Sequence, residues 1–182
     1  MSAQIRRGLR RHIAIVILLA LWARCAGAAD GTRAPDWTLD AADGRSVSFH
    51  ADSAGQPALL LFWASWCPYC QALFPHLAAL HAEYAPRGVR FYALNVWEDG
   101  DPQAYMARHG YTMTLLEAAD LVAEEYGVVG TPAVFVTDRD QRIRYRRRKG
   151  EQPADVTRAA RAALDAALDA PLTTETRTCS DC

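Results

Sequence analysis

Residues Ala58-Leu59-Leu60-Leu61-Phe62-Trp63-Ala64-Ser65-Trp66-Cys67-Pro68-Tyr69-Cys70 run from unbroken apolar sequence into two cysteines separated by two residues. Continuous apolar character over Ala58–Trp63 is what a strand buried on both faces requires. From Cys70 onward, Leu73, Phe74, Leu77, Leu80, His81 and Tyr84 follow the spacing of one helix face. The cysteines therefore stand where a strand gives way to a helix. The first turn of a helix has N–H groups without partners, and a sulfur among them is favoured as the thiolate that attacks disulfides. A second cysteine three residues on can then displace the product. Redox exchange through Cys67 and Cys70 is the chemistry this placement predicts. A static staple would gain little from so small a loop, and a zinc site would need Cys179 and Cys182, more than 100 residues away.

Reading outward, Trp37-Thr38-Leu39 and Val47-Ser48-Phe49 flank the turn Asp43-Gly44 and predict a two-strand N-terminal extension. Pro75 should kink the helix after Cys70, and Pro86-Arg87-Gly88 should end it. Val89–Val96 predicts a second buried strand, parallel to the first across the helix. Asp101-Pro102 opens a helix that Gly110 stops, Thr112–Leu116 reads as a short strand, and Leu121–Tyr126 as another helical turn or two. After Thr131-Pro132, Ala133–Val136 and Arg142–Lys149 read as an antiparallel hairpin. The basic run Arg142, Arg144, Arg146, Arg147, Arg148, Lys149 reads as a solvated edge face, with a docking surface for an acidic partner as the alternative. Pro153 to about Asp169 predicts the last helix. His76 and His81 read as core or boundary histidines, and Trp97 as a packed aromatic, with substrate contact as the sharper alternative.

The N-terminus predicts where such a pair would work. Arg6, Arg7, Arg10 and Arg11 precede an apolar run from Ile13 to Ala23, and Ala26-Gly27-Ala28 is an A-x-A-like cleavage site. Residues 1–28 read as a secretory signal peptide, or as an anchor if uncleaved, although spanning a membrane takes roughly 20 apolar residues. Removing them takes away five arginines and no acids, leaving 154 residues with 15 basic and 21 acidic side chains and a formal charge of -6. That is one domain, residues 29–170, followed by a polar tail, 171–182. Its charge excludes nucleic acid as an expected partner. Four cysteines would remain, in two C-x-x-C pairs, in a compartment where disulfides persist.

Phe62-Trp63-Ala64-Ser65-Trp66-Cys67, the helix proline Pro75 and the loop Thr131-Pro132 resemble the thioredoxin superfamily. The N-terminal extension, the insert between Val96 and Tyr126, and Tyr126-Gly127-Val128-Val129-Gly130-Thr131-Pro132 resemble its exported TlpA/ResA/DsbE-type thiol-disulfide oxidoreductases. The resemblance implies an α/β thioredoxin fold with a central mixed sheet flanked by helices, an N-terminal β extension and a βα-type insert. It implies Cys67 and Cys70 as the catalytic pair, with Trp66, Thr131 and a cis Pro132 meeting an extended substrate. Asn95-Val96-Trp97-Glu98 is similar to the N-V-x-E segment of the cytochrome c maturation branch, which makes Glu98 the candidate for proton transfer. Buried acids found elsewhere in the superfamily are replaced by Leu61, Leu73 and Ala133.

The expected function is a periplasmic thiol-disulfide oxidoreductase, favouring reduction, with a disulfide-forming oxidant or a copper-binding protein using its C-x-x-C pairs as alternatives. Expected partners are protein disulfides or dithiols and a membrane electron donor. No cofactor and no metal is expected at Cys67 and Cys70, and the chain is expected to act as a monomer. The pair Cys179-Ser180-Asp181-Cys182 admits three readings: an electron relay, a site for a soft metal such as Cu(I), or an inert local disulfide.

Overall fold

A computed structural model describes residues 31–170. The signal sequence read in residues 1–28 and the tail cysteines Cys179 and Cys182 lie outside the described residues. Two short strands, β1 (Thr38–Asp40) and β2 (Ser46–Ser48), pair antiparallel and lead into one helical turn, α1 (Phe49–Asp52). The central strand β3 (Ala58–Trp63) follows, buried along its whole length, then α2 (Pro68–Tyr84), a 3-10 turn at Ala85–Arg87, and β4 (Arg90–Asn95). The insert is a helix, a strand and a second helix: α3 (Pro102–His109), β5 (Thr114–Leu116) and α4 (Asp120–Glu125). The hairpin β6 (Ala133–Thr137) and β7 (Ile143–Arg146) precedes α5 (Pro153–Asp169). The main sheet runs β5-β4-β3-β6-β7, with β4 parallel to both β3 and β5 and the hairpin antiparallel.

Alternation along the central strands divides the core in two. Leu59, Leu61 and Trp63 face α2 and α5, where they meet Phe74, Leu77, Leu80, Val156, Ala160 and Leu164. Leu60 and Phe62 face the other way, toward Trp37, Val47 and Phe49 of the extension and Val122 and Tyr126 around α4. Trp37 stacks on Phe49 at 5.3 Å, and both rings pack against Tyr92. A sheet this apolar on both faces needs two covers, and the N-terminal extension supplies much of the second. The same segment bridges both edges of the sheet, through Ala41 to Leu116 and Arg33 to Arg142.

Several local expectations are met at their boundaries. Asp101 caps α3 by accepting a hydrogen bond from the Ala104 N–H at 2.8 Å, and Gly110 ends it with a φ of 67°. Pro75 lies inside α2, which continues to Tyr84, so the lost N–H does not end the helix.

The basic run is largely the solvated edge face that its alternation predicts, with Arg144, Arg146, Arg148 and Lys149 exposed, and the departure from it is the partly buried Arg147. Arg144 pairs with Asp138 at 2.5 Å, Arg146 donates to the Gly127 carbonyl and lies over the Phe135 ring, and Arg147 reaches inward to two carbonyls. Unpaired carbonyls at loop ends attract these guanidinium donors, a demand that β-strand alternation does not encode. The turn feeding β7 is similarly built: buried Gln141, at a φ of 61°, ties Arg33, the His50 carbonyl and Ser53 together.

Phe49 is fully buried at the centre of the second cover. Phe49→Ala should cost about 3–5 kcal/mol in urea unfolding, and a loss below about 1 kcal/mol would show that the extension is not part of the cooperative core.

Candidate active site

Cys67 is the N-cap residue of α2, with Pro68 in the first turn. Its backbone is extended, at φ −79° and ψ 113°, and its sulfur accepts the Cys70 N–H at 3.3 Å. Sulfur thus fills the place of the Ser, Thr or Asp oxygen that ordinarily caps a helix. Charge on Cys67 Sγ would meet that N–H and the positive end of the helix. The sulfur also lies 3.7 Å from the Thr131 carbonyl, and the Thr131–Pro132 peptide bond is cis. Both cysteines are free thiols, exposed by only 3% and 1%.

The two thiols are not equivalent. Burial, and next the hydrogen bond with Cys67, push the Cys70 thiol well above its ordinary pKa. At neutral pH Cys70 therefore holds its proton. The arrangement suits a nucleophile at Cys67, at the helix N-cap, and a protonated partner at Cys70 that acts second.

A second loop is clamped to the cysteine loop. The Trp66 indole N–H donates to the Trp97 carbonyl at 2.8 Å, while the Trp97 N–H donates to Asp120 Oδ1 at 2.9 Å. Trp97 has a φ of 51°, a conformation that costs a bulky residue about 1–3 kcal/mol and persists where its surroundings hold it. Asp120 and Trp66 hold both ends of that residue. The packed-aromatic reading of Trp97 is corrected: the residue is 40% exposed, and its hydrogen bonds are made by its backbone.

Glu98 organises the same junction. Its carboxylate accepts from the Ser65 N–H (2.8 Å), the Ser65 hydroxyl (2.7 Å), Asn95 Nδ2 (2.6 Å) and the N–H groups of Asp99 (3.2 Å) and Gly100 (3.0 Å). A carboxylate has about four lone-pair sites, so these donors nearly exhaust it. Burial alone would raise its pKa, but the bonds from Ser65, Asn95 and Gly100 outweigh it and hold Glu98 below the ordinary carboxylate value. Gly100 fits closely here, because a Cβ would stand 3.0 Å from the Ser65 hydroxyl oxygen and require it to shift by a few tenths of an ångström. Glu98 makes no hydrogen bond with either cysteine.

The third wall is the cis-proline loop. Arg147 donates to the Pro132 carbonyl at 3.0 Å and to the Glu151 carbonyl at 3.0 Å, so a residue on the far hairpin fixes the loop that faces Cys67. Around these loops the large exposed apolar side chains gather: Trp66, Tyr69, Trp97, Leu121 after Asp120, and Val129, which is 99% exposed just before Thr131. Such a cluster suits contact with another protein. Among the described residues, no group of three His, Cys, Asp or Glu side chains could hold a metal.

Residues 31–146 match the AhpC/TSA family. The chain belongs to that family. It is similar to the thiol-disulfide oxidoreductase ResA of Geobacillus thermodenitrificans, 29% identical over 154 residues that cover 79% of this chain and 88% of ResA. It is also similar to the thiol:disulfide interchange protein DsbE of Escherichia coli, 31% identical over 121 residues, 64% of this chain and 63% of DsbE. Among solved structures, a thiol:disulfide interchange protein of DsbE type from Chlorobium tepidum superposes with a TM-score of 0.68 at 30% identity, covering 78% of this chain and 99% of that one. This AhpC/TSA member thus has the thioredoxin fold and is a thiol-disulfide oxidoreductase.

Sequence reasoning named Trp66, Cys67, Cys70, Thr131, Pro132 and Glu98, and the structure brings them to one end of the sheet. It missed Asp120, Asn95 and Arg147. Asn95, a polar residue closing an apolar strand, was the visible signal. Glu98→Gln should cost about 1–2 kcal/mol at pH 7, because an amide nitrogen must face donors that now meet a carboxylate oxygen. Glu98 titrates below its unfolded value, so the wild-type advantage is complete above the ordinary carboxylate pKa and lost as pH falls through the lowered one. Unfolding titrations of both chains from pH 7 to pH 3 check this; a gap that does not close in acid would contradict it.

Proposed function

We propose that this oxidoreductase is exported to the periplasm and works there as a reductase. Cys67 attacks a protein disulfide to give a mixed disulfide, and Cys70 then attacks Cys67 Sγ and releases the reduced product. The observation that carries the reading is the sulfur of Cys67 at the helix N-cap, between the Cys70 N–H and the cis-proline loop. The raised pKa of Cys70 supports its role as the second thiol, since it must lose its proton before it attacks. Trp66, Thr131 and Pro132 would receive an extended substrate segment, with backbone pairing beside the cis peptide. Glu98 is proposed to take part in proton transfer through the loop it organises, by way of solvent rather than direct contact with Cys70.

Two features support the reducing direction. Strong oxidants of this chemistry owe their high potential to a stabilised reduced form. Here Cys67 Sγ receives one backbone N–H, and among the described residues no Lys, Arg or His side chain hydrogen-bonds it. The relatives ResA and DsbE support an extracytoplasmic setting together with the basic and apolar pattern of residues 1–28. No described helix is long and apolar enough to cross a membrane. A monomeric enzyme in that compartment would draw electrons from a membrane donor, and apocytochrome c disulfides are the proposed substrates.

Cys70→Ser removes the thiol that resolves the intermediate. Expressed in cells, it should accumulate reducible adducts through Cys67 in the periplasmic fraction, and Cys67→Ser should give none. A folded Cys70→Ser chain without such adducts, or with adducts confined to the cytoplasm, would contradict the proposal.

A further inference from the structure

A groove of about 510 Å³ opens beside Cys67, walled by Tyr69, Thr131, Pro132, Arg147, Lys149 and the start of α5 at Val156. Its two cations outnumber its one acid. Arg147 donates to two carbonyls, Lys149 makes no ion pair among the described residues, and the Glu151 carboxylate, which also lines the groove, accepts from the Tyr145 hydroxyl and the Arg148 N–H. A segment carrying a disulfide and an acidic residue would suit it.

This chain contains such a segment, Cys179-Ser180-Asp181-Cys182. Helix α5 begins in the groove, while its far end meets the far end of α2, where Asp165 accepts from the Tyr84 hydroxyl. Its 17 residues make the return distance from Asp169 to the groove about 25 Å. The ten residues from Ala170 to Cys179 span about 33 Å when extended. Cys179 can therefore reach the wall formed by Thr131, whose carbonyl touches Cys67 Sγ.

We propose that the Cys179–Cys182 disulfide docks in this groove, with Asp181 toward Lys149 and Arg147, and exchanges electrons with Cys67 and Cys70. The inference rests on the redox role of Cys67 proposed above. Cys67 thiolate attacks one tail sulfur, the tail S–S bond breaks, and the departing tail thiolate takes up a proton. Cys70 loses its proton and attacks Cys67 Sγ, which forms the Cys67–Cys70 disulfide and frees the second tail thiol. Two electrons and two protons pass to the tail, and the reverse steps return them to the Cys67–Cys70 pair, which reduces the external disulfide. Tethering raises the local concentration of this partner to the millimolar range, which favours exchange at a pair so little exposed.

The test uses the full chain carrying Cys25→Ser, Cys70→Ser and Cys182→Ser, which leaves only Cys67 and Cys179, equilibrated with oxidised and reduced glutathione. Peptide mapping after acid quench should show an intramolecular Cys67–Cys179 disulfide with an effective concentration in the millimolar range. Lys149→Glu should lower that value about threefold, and high salt should erase the difference. Cys67 glutathionylated without a link to Cys179, a disulfide-linked dimer in place of the internal bond, or no effect of Lys149→Glu would overturn the docked relay and leave the redox role of Cys67 standing. A Cys67 that takes up no glutathione would overturn both.

Discussion

The first turn of α2 has N–H groups that no helical carbonyl can reach, and the sulfur of Cys67 satisfies one of them. The rest of the site follows from that placement. A sulfur acting as a cap must lie at the end of the strand that feeds the helix, so β3 has to be central and its end open. Cys70, one turn later, must then point into the core, which gives it its burial and its proton. The same turn of helix gives the two buried sulfurs different surroundings, one at the cap and one facing the core.

Such a cap works only if the loops around it do not drift. Three carbonyl or carboxylate anchors hold them: the Trp97 carbonyl on Trp66, Glu98 on Ser65, and the Pro132 carbonyl on Arg147. The first two join the end of β4 to the cysteine loop and the third joins the end of β7 to the cis-proline loop, so the site draws on several strands of the sheet. The N-terminal extension contributes from the opposite face, where Trp37 and Phe49 cover Leu60, Phe62 and Tyr92. Without that cover, the strand that aims Cys67 would expose one apolar side.

The fold was legible where physics leaves few options. Six apolar residues before a C-x-x-C can only be an interior strand, and Asp101-Pro102 with Gly110 brackets a helix by capping chemistry alone. The site was legible where residue type and spacing coincide, as at Cys67, Cys70 and Thr131-Pro132. Long-range carbonyl contacts were not. Arg147 looks like one more charge on an edge strand until β6 and α5 place two carbonyls before it, and Asp120 is unremarked until Trp97 adopts a left-handed backbone. Glu98 was found by its position in Asn95-Val96-Trp97-Glu98, but its five donors come from a fold that sequence spacing does not display.

Cys67 and Cys70 are proposed to form a two-electron couple whose reduced form gains a helix cap and, among the described residues, no cation. Equilibrating the pair with glutathione and quantifying both thiols by mass after acid quench measures this. The expected result is a single two-electron transition near thioredoxin's potential, about −270 mV. A transition near about −120 mV, or cysteines that titrate independently, would contradict it.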